Sequence, residues 1–224
     1  MPTKIEINSD IAKKYALDAG AGVVGIAAAK DFRLSPDGCK PSDVLQGCVS
    51  VIVLGSPFPA EALSMMPPEY TELRNEMVSK MTDIAKKTAK QIKAAGYKAK
   101  EISATDGKHI EGKYYGHISL KHAAEIAGLG VITRNYLLTS PQHGNLLWLS
   151  AVLTDADLNP DVKLHYDACD NCNKCVEACP SGALDDPGLF GRKECDKFFV
   201  IENKKLVIKC FKCRAVCPYL FGML

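Results

Sequence analysis

Ten cysteines occur in this chain of 224 residues, and all but two of them lie in its last quarter. The exceptions are Cys39 and Cys48, while the others fall between Cys169 and Cys217. The first residues of the sequence show no apolar leader and no cleavage pattern, which predicts a cytosolic protein. Thiols stay reduced in the cytosol, so a dense group of cysteines is typical of a metal site and not of disulfides. The last quarter of the chain is therefore a candidate metal-binding region.

The spacing of these cysteines indicates which metal centre they could hold. One run reads Cys-x2-Cys-x2-Cys-x3-Cys-Pro, and a later set has a single cysteine followed by Cys-x2-Cys-x3-Cys-Pro. Bacterial two-cluster ferredoxins contain such a run, whose fourth cysteine ligates the other cluster. The pattern predicts two [4Fe–4S] clusters that exchange one ligand each. The first set is Cys169, Cys172, Cys175 and Cys217, and the second set is Cys179, Cys195, Cys210 and Cys213.

Zinc is the alternative metal for a group of thiols. Zinc ribbons use Cys-x2-Cys pairs at longer separations, whereas both runs here end in x3-Cys-Pro. The proline after Cys179 and after Cys217 fixes φ and redirects the chain, and Gly182 permits a close turn beside the metal. The spacing favours iron–sulfur clusters over zinc, and Cys39 and Cys48 are interpreted as ordinary reduced thiols.

Composition and charge exclude several other classes of protein. The 28 Lys and Arg residues nearly balance 26 Asp and Glu residues, and 47% of the residues are apolar, as in an ordinary globular protein. A formal charge of +2 gives no broad basic surface, so nucleic acid is not an expected partner. The longest strongly apolar stretch, residues 146–153, is too short to cross a bilayer. We therefore expect a cytoplasmic protein without a membrane partner.

Helices and short apolar strands alternate ahead of the cysteines. Apolar residues at steps of three and four predict helices, and continuous apolar runs predict strands that are covered on both faces. Ser9 or Asp10 is expected to cap the first helix. From His165 onward the composition changes, and Cys, Pro and Gly become frequent. We predict an α/β or α+β layered domain over residues 1–164 and a two-cluster ferredoxin-like domain over residues 165–224. The predicted helices span residues 9–19, 69–95 and 119–127, and the predicted strands span 23–27, 48–54, 98–104 and 146–154.

The most specific motif of the front domain precedes the cysteines. It reads SLKHAAEIAGLGVITRNYLL over residues 119–138, and a TDADL string follows at residues 154–158. Two further strings, ACPSGAL at 178–184 and CDKFFVIE at 195–202, lie among the cysteines. This combination resembles epoxyqueuosine reductases and their short relatives, a family related to reductive dehalogenases. The resemblance extends from about residue 117 to residue 219.

The resemblance implies a fold, a cofactor and a type of reaction. Members of this family have an α/β domain of nitroreductase type and bind a corrinoid between that domain and two clusters. A low-potential electron from the clusters reduces the cobalt, which then acts on the substrate. The resemblance therefore implies an iron–sulfur oxidoreductase that takes cobalamin, with a redox protein as its electron donor.

Three differences from the family bear on the substrate. Residues 131–134 read Val-Ile-Thr-Arg where the family usually has Trp-Ile-Gly-Lys. The Arg-Tyr-Ala…Asp-Tyr-His string that contributes the acid of epoxyqueuosine reductase has no match here. The helical-repeat extension with which longer members hold tRNA does not follow Cys217. These differences predict a small-molecule substrate in place of tRNA.

Several residues ahead of the cysteines are candidates for catalysis or cofactor binding. Tyr115 and His117 could deliver a proton beside a reduced metal or flavin, and the alternative is a surface loop whose aromatic side chains cover the core. The glycines at 128 and 130 either end a helix or admit a flat macrocycle where no Cβ intrudes. The basic candidates are either solvated side chains and turn residues or contacts to cofactor carboxamide or phosphate groups. The cofactor-binding candidates are Lys121, Gly128, Gly130, Arg134 and His143.

Three functions remain open at this point. The first is a corrinoid-dependent reductase that acts on a small molecule. The second is an electron-transfer protein without an organic cofactor, whose front domain docks and reduces a partner protein. The third is an iron–sulfur reductase that binds flavin, a cofactor that nitroreductase-like folds also take.

Overall fold

The computed structural model describes residues 4–110, 113–186 and 188–222. The helices of this part are α1 (Ser9–Asp18), α2 (Pro41–Val44), α3 (Pro67–Ala94), α4 (Leu120–Ile126), α5 (Lys174–Glu177), α6 (Arg192–Asp196) and α7 (Lys212–Ala215). The strands are β1 (Val23–Ala28), β2 (Ser50–Pro57), β3 (Ala99–Ile102), β4 (Gly107–Ile110), β5 (Lys113–Gly116), β6 (Val131–Ile132), β7 (Leu138–Thr139), β8 (Leu147–Thr154), β9 (Phe199–Glu202) and β10 (Lys205–Ile208). None of the helices in the described ranges is long and apolar enough to cross a membrane.

The chain divides into two compact units, and each unit is built from three separate segments of the sequence. The first unit contains Met1–Ser56, Val78–Gly130 and Trp148–Leu164, and the second contains Pro57–Met77, Val131–Leu147 and His165–Leu224. One division falls between Leu164 and His165, at the change in composition. The second unit also includes two earlier segments, which nothing in the composition indicates. The functional domain limits of 1–164 and 165–224 stay a prediction.

A four-stranded sheet in the order β1-β2-β8-β3 forms the centre of the first unit. Antiparallel pairing places Ile26 of β1 opposite Ile52 of β2, and Ala99 of β3 opposite Thr154 of β8. Both Ile26 and Ile52 are fully buried, as predicted for strands covered on both faces. The core around them includes side chains of α1 and α3, namely Ala12, Ala16, Met81, Ile84, Ala85 and Ile92. All the predicted helices and strands are present, with ends shifted by a few residues.

The beginning of α1 differs from the sequence-based expectation. Neither Ser9 nor Asp10 caps this helix, because Asn8 occupies the extended cap position and its Oδ1 accepts the N–H of Ile11 at 2.9 Å. Ser9 instead donates its hydroxyl to the carbonyl of Asn159. The helix ends before Gly20, whose φ of +108° is the left-handed conformation that glycine adopts without strain.

The end of α4 packs tightly inside the first unit. A Cβ on Gly128 would lie 2.4 Å from the carbonyl oxygen of Val162, and a Cβ on Gly25 would lie 2.4 Å from that of Ala127. Gly128 also has a φ of +70°, as a residue after a helix often does. The N–H of its neighbour Asp161 donates to the carbonyl of Ile26 in β1, and the Asp161 carboxylate accepts the N–H of Ile26 and the Lys13 ammonium. Glycine at position 128 is therefore required by backbone geometry and packing.

The second unit combines the cysteine-rich region with the two earlier segments. Tyr70 of α3 stacks on Phe211 with ring centroids 4.0 Å apart, and Phe58 meets the Tyr70 ring edge-on. The hydroxyl of Thr71 accepts the N–H of Ile208 at 2.9 Å, which fixes the end of β10. Through these contacts, residues 57–77 pack against the chain next to Cys210 and Cys213.

Candidate metal centre

The four cysteines of the first set line one cavity of the second unit. The cavity has a volume of about 280 Å³, including the part that opens to solvent. Among the described residues, the remaining wall is made of neutral side chains and contains no Lys, Arg, His, Asp or Glu. Cysteine thiolates are the usual ligands of an iron–sulfur cluster, so the donors of this cavity fit such a cluster. The cavity is lined by Thr133, Asn135, Ala168, Cys169, Cys172, Cys175, Cys217, Pro218 and Tyr219.

Tight turns bring the first three of these thiols to one side. The N–H of Cys172 donates to the carbonyl of Cys169 at 3.0 Å, and Asn171 between them takes a left-handed φ of +52°. Asn tolerates this conformation better than most residues. The short helix α5 then carries Cys175, and the Asp167 carboxylate holds the N–H of Cys169 at 2.9 Å.

The thiols of the second set influence one another electrostatically. Burial raises the pKa of Cys195, and the neighbouring Cys210 and Cys179 raise it further. Burial also raises the pKa of Cys213 to about 12, although the charge of Arg214 acts in the opposite direction. Cys195, Cys210 and Cys175 contribute to that rise. The charge of Cys213 thus interacts with those of two other members of its set and with that of Cys175 of the first set.

The thiols of the first set lie around a cavity. Among the described residues, no three His, Cys, Asp or Glu side chains are placed to hold a single metal ion. A thiol with a raised pKa is protonated at neutral pH, so a metal centre bound here must displace protons as it forms.

The turn after Cys179 surrounds its sulfur with hydrogen-bond donors. The Ser181 hydroxyl lies 3.5 Å from Sγ, and Gly182 has a φ of +69°. Burial acts to raise the pKa of Cys179, but hydrogen bonds from Ser181, Ala183 and Leu184 outweigh it and lower the pKa below its ordinary value. This is the close turn that the Ser-Gly-Ala sequence predicts.

Residues 131–147 reach the cysteines through two polar contacts. The backbone N–H of Arg134 donates to Sγ of Cys169 at 3.3 Å. The side chain of Asn135 donates to the carbonyl of Cys213 at 3.2 Å and is itself held by Thr133 and the N–H of Leu137. The strands β6 and β7 position both residues, because they pair across the turn that contains them.

A buried arginine lies next to Cys213. Arg214 is only 8% exposed, and its guanidinium donates to the carbonyl of Asn145. The Asn145 side chain donates back to the carbonyl of Arg214 at 3.2 Å. Burial raises the pKa of Tyr70, while the nearby charge of Arg214 lowers it. The backbone of Cys213 is thus fixed from both sides, with a positive charge beside it.

Sequence reasoning missed Asn135, Asn145, Tyr70 and Arg214. These residues lie far from the cysteines in sequence or between them without a motif of their own. One signal was available, because Asn135 falls inside the string that carries the family resemblance. No such signal marked Tyr70.

The predicted catalytic and cofactor-binding residues are spread over both units. Tyr115 and His117 are half-buried near the β4–β5 hairpin, and the N–H of His117 donates to the carbonyl of Asp106. Lys121 lies in the first turn of α4, and Gly130 is buried just before β6. These four residues and Gly128 belong to the first unit, whereas Arg134 and His143 belong to the second. Their proposed roles in catalysis and cofactor binding stay predictions.

Two residues of the second unit have more specific surroundings. The Nε of Arg134 is buried and has no hydrogen-bond partner among the described residues. His143 precedes Gly144, where a Cβ would lie 2.1 Å from the carbonyl oxygen of Tyr219. The carbonyl of His143 accepts the N–H of Leu146, as a turn residue does.

Known proteins share parts of this sequence. The family model described as "4Fe-4S binding domain" matches residues 162–185. Epoxyqueuosine reductase of Bacillus subtilis (strain 168) is 32% identical over 114 residues, which are 46% of this chain and 29% of that protein. Epoxyqueuosine reductase of Synechococcus sp. (strain RCC307) is 37% identical over 105 residues, or 43% of this chain and 33% of that protein. The chain spans about a third of the length of these relatives.

Solved structures share the fold over almost the whole chain. An epoxyqueuosine reductase in complex with an epoxyqueuosine-modified tRNA stem loop has a TM-score of 0.66 at 20% identity, covering 94% of this chain and 64% of that one. A catabolic reductive dehalogenase has a TM-score of 0.74 at 20% identity, covering 94% of this chain and 32% of that one. A reductive dehalogenase whose structure suggests a mechanism for B12-dependent dehalogenation also scores 0.74, at 21% identity, covering 93% of this chain and 31% of that one.

Fold and cysteine motif together define an iron–sulfur protein with a mixed α/β fold and a ferredoxin-like region. The resemblance predicted from the sequence is confirmed: the chain is related to the epoxyqueuosine reductases and has the fold of these enzymes and of reductive dehalogenases. The nitroreductase-like layering and the second cluster stay predictions.

Proposed function

We propose that this chain is an iron–sulfur oxidoreductase that passes electrons from two [4Fe–4S] clusters to a corrinoid for the reduction of a small molecule. The observation that carries the proposal is the grouping of the eight cysteines. Cys169, Cys172, Cys175 and Cys217 surround one cavity, and the other four influence one another's pKa. The clusters, when bound, supply one-electron chemistry.

The residues of the second unit would hold and insulate this centre. Each set contains one cysteine from the far run, so each would anchor two distant segments at once. The amide of Arg134 and the hydroxyl of Ser181 donate toward sulfur atoms, and such bonds stabilise negative charge on a ligated thiolate. Burial of Cys175 keeps water from that side of the first set.

Support for a corrinoid comes from the fold and from one side chain. A structural relative is described as B12-dependent. The buried Nε of Arg134 has no acceptor among the described residues, and a buried donor without a partner is costly. A carboxamide or phosphate oxygen of a cofactor would satisfy it. We propose Lys121, Gly128, Gly130 and His143 as further binding residues, and Tyr115 and His117 as proton donors.

The proposed small-molecule substrate rests on the two sequence departures at residues 131–134 and at the missing acid string. A structural relative was solved with a tRNA stem loop, which does not support the expectation that nucleic acid is excluded. That expectation and the cytoplasmic location stay predictions. A redox protein is proposed as the electron donor.

Anaerobic reconstitution tests the proposal. We expect about eight iron atoms per chain, and about four in Cys172→Ala. The double variant Cys39→Ala/Cys48→Ala is the matched control and should keep the full count, because both thiols lie outside the two sets. Zinc at one or two atoms per chain would contradict the cluster assignment.

A spectroscopic titration then distinguishes the organic cofactor. The reconstituted protein is mixed with hydroxocobalamin and separately with FMN. Saturable changes with the corrinoid alone are expected. A response to FMN alone would favour a flavin-dependent reductase. No response to either would favour an electron-transfer protein that reduces a partner, the function that the altered Val131–Arg134 string also favours.

A further inference from the structure

Positive charge is concentrated in one stretch of the chain. Residues 192–214 contain eight Lys and Arg but three Asp and Glu, whereas the whole chain has an excess of only two basic residues. The remainder of the chain is therefore net acidic. Ion pairs involve three of these cations, Arg192 with Asp196, Lys209 with Glu202 and, at 3.9 Å, Lys205 with Glu72. The exposed side chains of Lys193, Lys197, Lys204 and Lys212 form no ion pair with any described residue.

The tip of the β9–β10 hairpin carries two of the basic residues, Lys204 and Lys205, and both are exposed. Every residue from 201 to 206 is exposed. Asn203 and Lys204 form the two-residue turn with φ values of +48° and +64°. This turn favours glycine at its second position, and lysine there adopts a conformation unfavourable for a side chain. Turn geometry therefore does not favour lysine at position 204.

An apolar pair lies one register position behind Glu202 and Lys205, next to the turn that carries Lys204. Ile201 and Leu206 are directly opposite in the register of β9 and β10, so their side chains are on one face. Ile201 is 70% exposed and Leu206 41% exposed. An apolar centre with a charged rim is the anatomy of a protein–protein interface. The positive sign of the rim fits an acidic partner.

The hairpin connects two cysteines of the second set. It starts after α6, which carries Cys195, and the N–H of Lys209 donates to the carbonyl of Phe198 to close its base beside Cys210. Each strand has four residues, so the tip is about 13 Å from the base. A protein bound at the tip would lie close to the thiols of the second set.

We propose that the tip of the β9–β10 hairpin, residues 201–206, is the docking surface for an acidic electron-donor protein that reduces the cluster of the second set. This inference rests on the proposed function and extends it by placing the donor. One electron leaves the reduced donor and enters the cluster, so the donor is oxidised by one electron and no atom is transferred.

Stopped-flow reduction of the reconstituted protein tests the docking surface. Reduced flavodoxin serves as the acidic donor, dithionite as the small one, and the bleaching of cluster absorbance is recorded. In Lys204→Glu/Lys205→Glu, reduction by flavodoxin should slow at least tenfold at low salt and lose its salt dependence. Reduction by dithionite should stay within twofold of the unmodified protein. The control Lys86→Glu/Lys93→Glu carries the same charge change on exposed positions of α3 and should behave as the unmodified protein does.

A third variant separates docking from folding. Lys204→Gly should raise the melting temperature, because glycine suits the turn, and yet slow reduction by flavodoxin. Equal slowing in both charge-reversal variants, or none in the hairpin variant, would overturn the docking surface alone. A tRNA stem loop that binds only while the lysines are intact, with flavodoxin reduction unaffected, would assign the surface to RNA and also overturn it. Failure of dithionite to bleach any cluster would overturn the proposed function together with this inference.

Discussion

Asn135 connects the two cysteine sets, because its side chain lines the cavity of the first set and donates to the carbonyl oxygen of Cys213 in the second. The donor and acceptor atoms are 3.2 Å apart, although the residues are 78 positions apart in sequence. Asn135 is only 5% exposed. One buried amide thus fixes the separation of two loops that carry proposed ligands.

Replacing Asn135 by Ala should destabilise the protein. The substitution leaves the carbonyl of Cys213 and the N–H of Leu137 without their partner, at a cost of about 1–3 kcal/mol. Thermal unfolding of the reconstituted protein and its iron content measure the effect. Asn159→Ala, at an exposed position, is the control and should change the melting temperature little. An unchanged melting temperature for Asn135→Ala would contradict a stabilising role of the Asn135 hydrogen bonds.

The exchange of ligands between the two runs gives a second prediction. Cys217→Ala should damage the cluster of Cys169, Cys172 and Cys175, because Cys217 lines their cavity. EPR spectra of the reduced variant should keep the signal of the other cluster. Loss confined to the cluster of Cys195, Cys210 and Cys213 would show that the runs do not exchange ligands.

Removal of iron should loosen the two units unequally. The first unit has a sheet and an apolar core of its own, whereas in the second the metal centre would supply folding energy. Chelation is expected to increase hydrogen exchange in residues 165–222 and to leave that of β1, β2 and β8 nearly unchanged. Uniform loss of protection would mean that the units unfold together.

The cavity lined by Cys169, Cys172, Cys175 and Cys217 agrees with one of the two ligand sets that the cysteine spacing predicts, whereas the ligand roles themselves stay predictions. The fixed spacing of the cysteines and the proline that follows them predict local turns. The pattern of apolar residues likewise predicted α3 and β8. The polar contacts of Asn135 with Cys213 and of Asn145 with Arg214 join segments about 70 residues apart and leave no periodic trace. Residues 57–77 could not be assigned to the second unit for the same reason, because their contacts are with residues far away in sequence. The α1 cap was misplaced by one or two positions because Asn8, Ser9 and Asp10 are all good caps.

The buried charge of Arg214 should set the reduction potential of the neighbouring cluster. A reduced cluster carries one more negative charge, which a nearby cation in a region of low dielectric stabilises. Arg214→Gln should lower the potential of the cluster that includes Cys213 by about 60 mV, equivalent to about 1.4 kcal/mol for one electron. Arg214→Lys keeps the charge and should keep most of the potential. A redox titration followed by EPR distinguishes the two variants, and equal shifts in both would assign the effect to lost packing.

Arg134 contributes two separable groups, and they lead to different predictions. Its backbone N–H, which donates to Sγ of Cys169, is retained in any substitution except proline. Arg134→Ala should therefore preserve the iron content and the EPR signals. The side chain, with its buried and unpartnered Nε, is proposed to contact the corrinoid, so the same variant should weaken hydroxocobalamin binding about tenfold, the equivalent of one charge-assisted hydrogen bond. Arg134→Lys should be intermediate, since an ammonium keeps the charge but not the planar array of donors. Corrinoid binding of Arg134→Ala at the original affinity would contradict the contact, whereas loss of iron would show that the side chain supports the metal centre instead.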